Sequence, residues 1–183
     1  MNKRILIFGL IAGVLSCIGY LMELLFDLNM SLEAGMAIGF ASMLAGFSLI
    51  FVAIVKDRKD SLTTRYTFSR AFLIGLGVSF IASTIYVLVW MIYFEYGGEE
   101  FIDVYSAKAI AELKKGGFSP DVLQQKIEEQ TQSMQTYKTN AFYRIGITYT
   151  EIFPIGLLVS IIAGLILKRK GESENEEVLD SKV

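Results

Sequence analysis

Four long apolar stretches, Ile5–Phe26, Ala34–Val55, Ala71–Phe94 and Ala141–Leu167, constrain this 183-residue chain more than any other feature. Each can cross a hydrocarbon core of about 30 Å, which takes roughly 20 helical residues. Only Glu23, Arg144 and Glu151 place a charge inside them. Backbone groups in lipid must be satisfied within the segment, so each stretch is expected as a helix. Composition agrees: 53% of residues are hydrophobic and 20% charged, with mean hydropathy +0.48. The apolar share exceeds the ~45–50% of soluble domains. The expected fold is all-α, an integral membrane four-helix bundle.

The cations set its orientation. Lys3 and Arg4 precede the first stretch; Lys56, Arg58, Lys59, Arg65 and Arg70 separate the second from the third; Lys168, Arg169 and Lys170 follow the fourth. The first connection holds Asp27 and Glu33 and no cation. Lysine and arginine accumulate on the cytoplasmic side, so both termini and the middle loop are expected there. Val14-Leu15-Ser16-Cys17 is close to a lipoprotein cleavage site. The apolar run continues to Phe26 where a leader would turn polar, which favours a first transmembrane helix. Residues 1–170 then form one membrane domain, and 171–183, rich in glutamate, a disordered acidic cytoplasmic tail.

Between the third and fourth stretches, residues 95–140 read as an extracytoplasmic helical hairpin. Glu99–Lys115 mixes apolar and charged residues at helical spacing, and Gly116-Gly117 ends it. Ser119 offers an N-cap, Pro120 suits the first helical position, and Asp121 complements the helix dipole. The second hairpin helix has an inward stripe of Leu123, Ile127, Gln130, Met134 and Tyr137. The same count continues through Ala141, Arg144, Thr148 and Glu151, so this helix is expected to run unbroken into the fourth span, with one shared face.

Small residues recur at close-packing spacing: Gly9, Gly13 and Ser16; Gly35, Gly39, Ser42 and Gly46; Gly75, Ser79 and Ala82; Gly156, Ser160 and Gly164. Packing within one bundle is the preferred reading, with contacts in a homo-oligomer as the alternative. Glu151 lies about ten residues into the fourth span, where an ionised carboxylate costs ~2.5–3.5 kcal/mol. Ser16 or Tyr20, Ser42, and Thr84 or Tyr86 fall at similar depth. A neutral interhelical hydrogen bond is preferred for Glu151 over a proton-relay, ion or ligand role. Pro154 removes one helical hydrogen bond nearby and is expected to kink the helix. Arg144 has Glu23 and Glu95 at comparable depth, and a salt bridge closing the outer mouth is preferred to capture of an anion. Trp90, Tyr93, Phe94, Tyr96 and Phe101 read as an interfacial aromatic belt.

Several function classes drop out. One cysteine, Cys17, and no histidine exclude disulfide frameworks, Cys/His zinc sites and histidine-dependent triads within one chain. A net charge of −2 gives no general basic surface for nucleic acid. No paired intramembrane aspartates or Ser–Lys dyad are present, so no enzyme activity, metal or cofactor is expected.

The run Tyr149-Thr150-Glu151-Ile152-Phe153-Pro154-Ile155-Gly156-Leu157-Leu158-Val159-Ser160, closing with Ile166-Leu167-Lys168-Arg169-Lys170, resembles the last span of an uncharacterised bacterial membrane family, domain of unknown function 4199 (DUF4199). Gly39-Phe40-Ala41-Ser42-Met43-Leu44, Thr67-Phe68-Ser69-Arg70-Ala71 and Ile85-Tyr86-Val87 with Trp90, Tyr93 and Phe94 extend the likeness over about residues 5–170. The resemblance implies a bacterial envelope protein with the same four-span plan and carries no agreed activity. The expectation is therefore a multi-pass protein of the bacterial inner (cytoplasmic) membrane, in contact with lipid, whose hairpin (residues 99–140) meets an envelope protein. The alternative is a small proton- or cation-linked carrier or channel centred on Glu151.

Overall fold

The computed structural model of the protein describes residues 3–19, 21–22, 32–61 and 65–169. Among these the architecture is helical throughout: α1 (Lys3–Ser16), α2 (Leu32–Asp60), α3 (Phe68–Tyr93), α4 (Glu99–Lys115), α5 (Pro120–Thr139) and α6 (Ala141–Leu167). The one extended pairing joins Tyr66 to Arg169 through reciprocal backbone hydrogen bonds of 3.1 and 2.8 Å. Three helical stretches are long and apolar enough to cross a membrane: Glu33–Asp60, Phe68–Lys115 and Ala141–Leu167. The first apolar stretch is helical from Lys3 to Ser16, turns at Cys17, and has helical backbone again at 18–19 and 21–22. Its remainder, with Tyr20, Glu23 and Asp27, lies outside the described residues, as does the acidic tail.

Helix α3 lies between α1 and α6, and small residues set how closely they approach. A Cβ on Gly9 or Gly13 would stand 2.6 or 2.7 Å from Ile81 or Ile85, and one on Gly156 would stand 2.7 Å from Phe47 and 2.8 Å from Ser79. The Ser79 and Ser160 hydroxyls meet at 3.0 Å across the α3–α6 seam, each also within reach of the carbonyl one turn back, so one hydroxyl donates across the seam while the other donates to its own helix carbonyl. The outward face of α3 (Leu73, Phe80, Leu88, Ile92) stays 58–62% exposed. In water so continuous a stripe would be a liability; in lipid it costs nothing.

A π-helical turn, Phe94–Gly98, links α3 to α4 and bends the chain at Gly97, whose φ of 150° disfavours any residue with a Cβ. Gly117 (φ 67°) closes α4 as the glycine pair predicts. Ser119 has the extended N-cap backbone and Pro120 opens α5, but the Ser119 side chain makes no capping bond. The α5 stripe is as expected: Leu123, Ile127, Gln130 and Met134 are half-buried and Tyr137 buried, on the side that meets α4. Lys138 reinforces that contact, donating to Asp103 at 2.5 Å with Glu99 at 3.4 Å.

The expected unbroken α5–α6 helix is corrected by Asn140. Its backbone is extended (φ −117°, ψ 105°), and its side-chain oxygen accepts from the Tyr143 N–H at 3.1 Å, capping a new helix. A side chain that satisfies the first free N–H groups makes starting afresh cheaper than continuing. Helix α6 runs without interruption through Pro154, which is exposed.

Candidate functional site

Each end of the bundle holds a carboxylate in unusual surroundings. At the hairpin end a cavity of about 430 Å³ opens between α2, α3 and α6 and beneath the hairpin. Helix α2 contributes Gly35, Met36, Gly39, Phe40 and Met43; α3 contributes Tyr86, Trp90 and Tyr93. The roof is Phe101, Ile102 and Tyr105 of α4 with Met134 and Tyr137 of α5, and the α6 wall is Ile147, Thr148, Glu151 and Ile155. Gly19 completes the described lining. Helix α4 is tied over the mouth by an ion pair from Lys108 to Glu33 at the start of α2, 2.5 Å. That pair is exposed and holds Glu33 below the usual carboxylate range, through hydrogen bond and charge together.

Glu151 enters this cavity because of its angular position. The buried stripe of α6 is Arg144, Thr148, Ile152, Gly156 and Ser160, a step of four throughout. Glu151 lies seven residues after Arg144 and three after Thr148, within about 60° of both around the helix, and it lines the cavity together with Thr148. It is not held in the expected interhelical hydrogen bond. Glu151 has no hydrogen bond or ion pair among the described residues. The hydroxyls expected near it are engaged elsewhere: Ser16 with the Ala12 carbonyl, Ser42 with the Ile38 carbonyl, and Thr84 with Phe80 and the Tyr149 hydroxyl. Among the described members of that set, Tyr86 alone shares the cavity with it, and Tyr20 lies outside the described residues. Glu23 lies outside the described residues. Ser42 is buried beside the cavity wall, and Pro154 takes no part in the lining.

The aromatic belt is corrected as well. Trp90, Tyr93 and Phe94 are buried, Phe101 is half-buried, and only Tyr96 points outward. The bend at Gly97 folds the hairpin back over the end of α3, which turns would-be interfacial rings into cavity wall. Their polar atoms form a directed chain: Trp90 Nε1–H donates to the Tyr137 hydroxyl (2.7 Å), which is 3.1 Å from Thr148 Oγ1, and Thr148 donates to the Arg144 carbonyl (2.9 Å). Because Thr148 spends its proton on that carbonyl, Tyr137 is the donor to Thr148. Burial pushes the Tyr137 hydroxyl above the usual tyrosine range, so it remains protonated. The small-residue stripe of α2 divides here. Gly46 presses on Ala12 and Ser16, while an added Cβ at Gly35 or Gly39 would meet none of the described residues within 4 Å.

Arg144 is 4% exposed and does not line the cavity. Its guanidinium carbon stands 3.6 Å from the centre of the Phe94 ring, with Glu95 at 3.6 Å and the Lys138 carbonyl accepting at 3.4 Å. It clamps the turn between α3 and the hairpin to the start of α6. Glu95 is its carboxylate among the described residues.

The opposite, basic end has a site that sequence reading missed. Asp57 of α2 is 5% exposed and accepts from the Tyr66 hydroxyl (2.9 Å) and from Arg70 Nε of α3 (2.8 Å), with Arg4 of α1 at 3.7 Å. Arg4 also pairs with Asp60, and Arg58 reaches the Leu167 carbonyl at the end of α6 (3.2 Å). Burial, and then Asp57, raise the Tyr66 hydroxyl well above the usual tyrosine range, keeping it a donor. The Tyr66–Arg169 backbone pair completes a clasp that draws together α1, α2, α3 and the end of α6. No group of three metal-ligating side chains occurs among the described residues.

No curated protein and no solved structure matches the chain. One family model does, described as protein of unknown function (DUF4199), over residues 7–169. That match takes in the cavity, the hairpin and all of the clasp except Arg4, and by it the chain belongs to the DUF4199 family.

Proposed function

We propose that this protein is a four-span protein of the bacterial inner membrane, with both termini cytoplasmic, that takes a small molecule into the cavity under its hairpin. The observation that carries the reading is the cavity itself, about 430 Å³, with Glu151 exposed on its wall and unpartnered among the described residues. Ligand sites are concave, mostly apolar and supplied with a few polar groups, at about this volume. The roof of paired helices, held by the Lys108–Glu33 ion pair, gives the hairpin a part in enclosing that molecule. No catalytic machinery is assigned. The carrier reading is a special case, in which the bound molecule leaves on the other side.

Trp90, the single tryptophan of the chain, lines the cavity and reports its occupation. A neutral apolar quencher should lower Trp90 emission saturably in lipid nanodiscs, and Gly39→Phe, which fills the space beside it, should abolish saturation. Quenching that rises linearly in both proteins would mean ordinary partitioning into lipid and would sink the reading. Orientation has its own test. In a Cys17→Ser background, a cysteine at Gly117 should react with impermeant reagents in intact cells and one at Lys59 should not.

A second reading, contact between the hairpin and an envelope protein, is favoured by Phe118 and Val122. Both are 41% exposed at the hairpin tip, away from the cavity. Crosslinking from Val122 in native membranes tests it: a discrete adduct supports the contact, and no adduct counts against it.

A further inference from the structure

The cavity lining narrows what can occupy it. Among the described residues Glu151 is the one charged side chain in the wall, and no lysine or arginine offsets it there. Glu151 is exposed along this wall and has no hydrogen bond or ion pair among the described residues, so an entering cation gains an ion pair there that a neutral or anionic molecule cannot. Around it the wall is unusually aromatic. Tyr86, Trp90 and Tyr93 come from α3, Phe101 and Tyr105 from the roof, and Phe40 from α2. Ring faces attract cations, most strongly where water is excluded. Met36, Met43 and Met134 add polarizable, conformationally adaptable side chains suited to an irregular apolar body.

An inorganic ion fits this lining poorly. Hard divalent cations take about six to eight oxygen ligands, and no described group of three acidic or other metal-ligating side chains exists. The hydroxyls of Tyr137 and Thr148 are committed to the chain that begins at Trp90. The volume of about 430 Å³ also suits a molecule of organic size better than a bare ion.

We propose that the Glu151 cavity is a binding site for an organic cation with an apolar body, a protonated or quaternary amine, whose positive centre is held by the Glu151 carboxylate and the surrounding rings. This rests on the small-molecule reading above and adds the charge of the ligand. Glu151 supplies the ion pair, the α3 and α4 aromatics supply cation–π attraction, and the methionines and Ile155 receive the apolar portion. The open α2 glycines provide the room. Gly35 and Gly39 have the same spacing as the packed glycines, yet among the described residues no neighbour fills the space a side chain would take.

The test uses two probes of the same shape, benzyltrimethylammonium and its uncharged carbon isostere neopentylbenzene. The full-length protein in nanodiscs is titrated with each, Trp90 emission is followed, and occupancy is compared at equal concentration in the bilayer phase. The expected result is saturable binding of the cation at least about tenfold tighter than the isostere, with the preference lost in Glu151→Gln. Saturable binding of both probes with equal affinity would overturn the cation proposal and leave the small-molecule reading standing. Saturation by neither would overturn both. A preference that survives Glu151→Gln in a protein of native helicity would also overturn it, because selectivity would then arise elsewhere. If that variant does not fold, the wild-type comparison between the two probes still decides.

Discussion

Asp57 and Glu151 are carboxylates on neighbouring helices of one bundle, and their surroundings are opposite. Asp57 is 5% exposed and has the Tyr66 hydroxyl, Arg70 and Arg4 around it, drawn from α1, α3 and the α2–α3 connection. Glu151 opens into a cavity and has no partner among the described residues. The difference separates two uses of a carboxylate. A buried one satisfied from three directions fastens helices together, whereas an exposed one on a cavity wall adds little to the fold and keeps its interaction for something else.

The sharpest way to break this comparison is to remove the clasp. Asp57→Ala leaves Tyr66 and two guanidinium groups without their acceptor. We expect it to destabilise the protein by roughly 2–4 kcal/mol, below a fully buried pair because Arg70 and Arg4 retain solvent contact. Unfolding in detergent micelles, followed by near-ultraviolet circular dichroism, measures it. A loss below about 0.5 kcal/mol, the range of ordinary surface substitutions, would mean that the clasp does not hold the helices.

Glycines at the two ends should differ in the sign of their response. Gly156→Ala drives a methyl into Phe47 and Ser79 and is expected to cost roughly 1–3 kcal/mol. Gly39→Ala meets nothing among the described residues and should stabilise by about 0.5–1 kcal/mol through helix propensity alone. Equal effects in the same unfolding assay would show that α2 is as tightly packed at the cavity as elsewhere. Tyr137→Phe removes the hydroxyl that accepts from the Trp90 indole and donates to Thr148, at about 1–2 kcal/mol. The smallest effect belongs to Glu151→Leu. With no bond to lose, the variant should stay within about 0.5 kcal/mol of wild type. A large loss there would place Glu151 with Asp57 as a structural group and remove the contrast.

Local pattern carries the features that depend on it. The helices follow from apolar runs, the α4 stop from Gly116-Gly117, and the buried side of α5 from the spacing of Leu123, Ile127, Met134 and Tyr137. Glu151 stands out in the sequence because its neighbours are apolar, and the cavity gives that isolation a use. Asp57 does not stand out. In Lys56-Asp57-Arg58-Lys59-Asp60 it reads as one more member of a solvated charged run, and only the return of Arg4, Tyr66 and Arg70 to the same place buries it. Asn140 hides for a related reason, since one polar residue in a helical pattern does not announce that its side chain will cap the next helix.

The sequence by itself determined that this chain is helical, apolar and built around a few small-residue seams, because hydropathy, turn residues and periodicity act over a handful of neighbours. Tertiary structure alone decided which seams close and which stays open. Gly39 and Gly156 have the same chemistry and comparable spacing to their neighbours. A cavity lies beside one, while Phe47 and Ser79 pack against the other, because the partner that fills or leaves a groove comes from residues distant in the chain, and no local pattern specifies it.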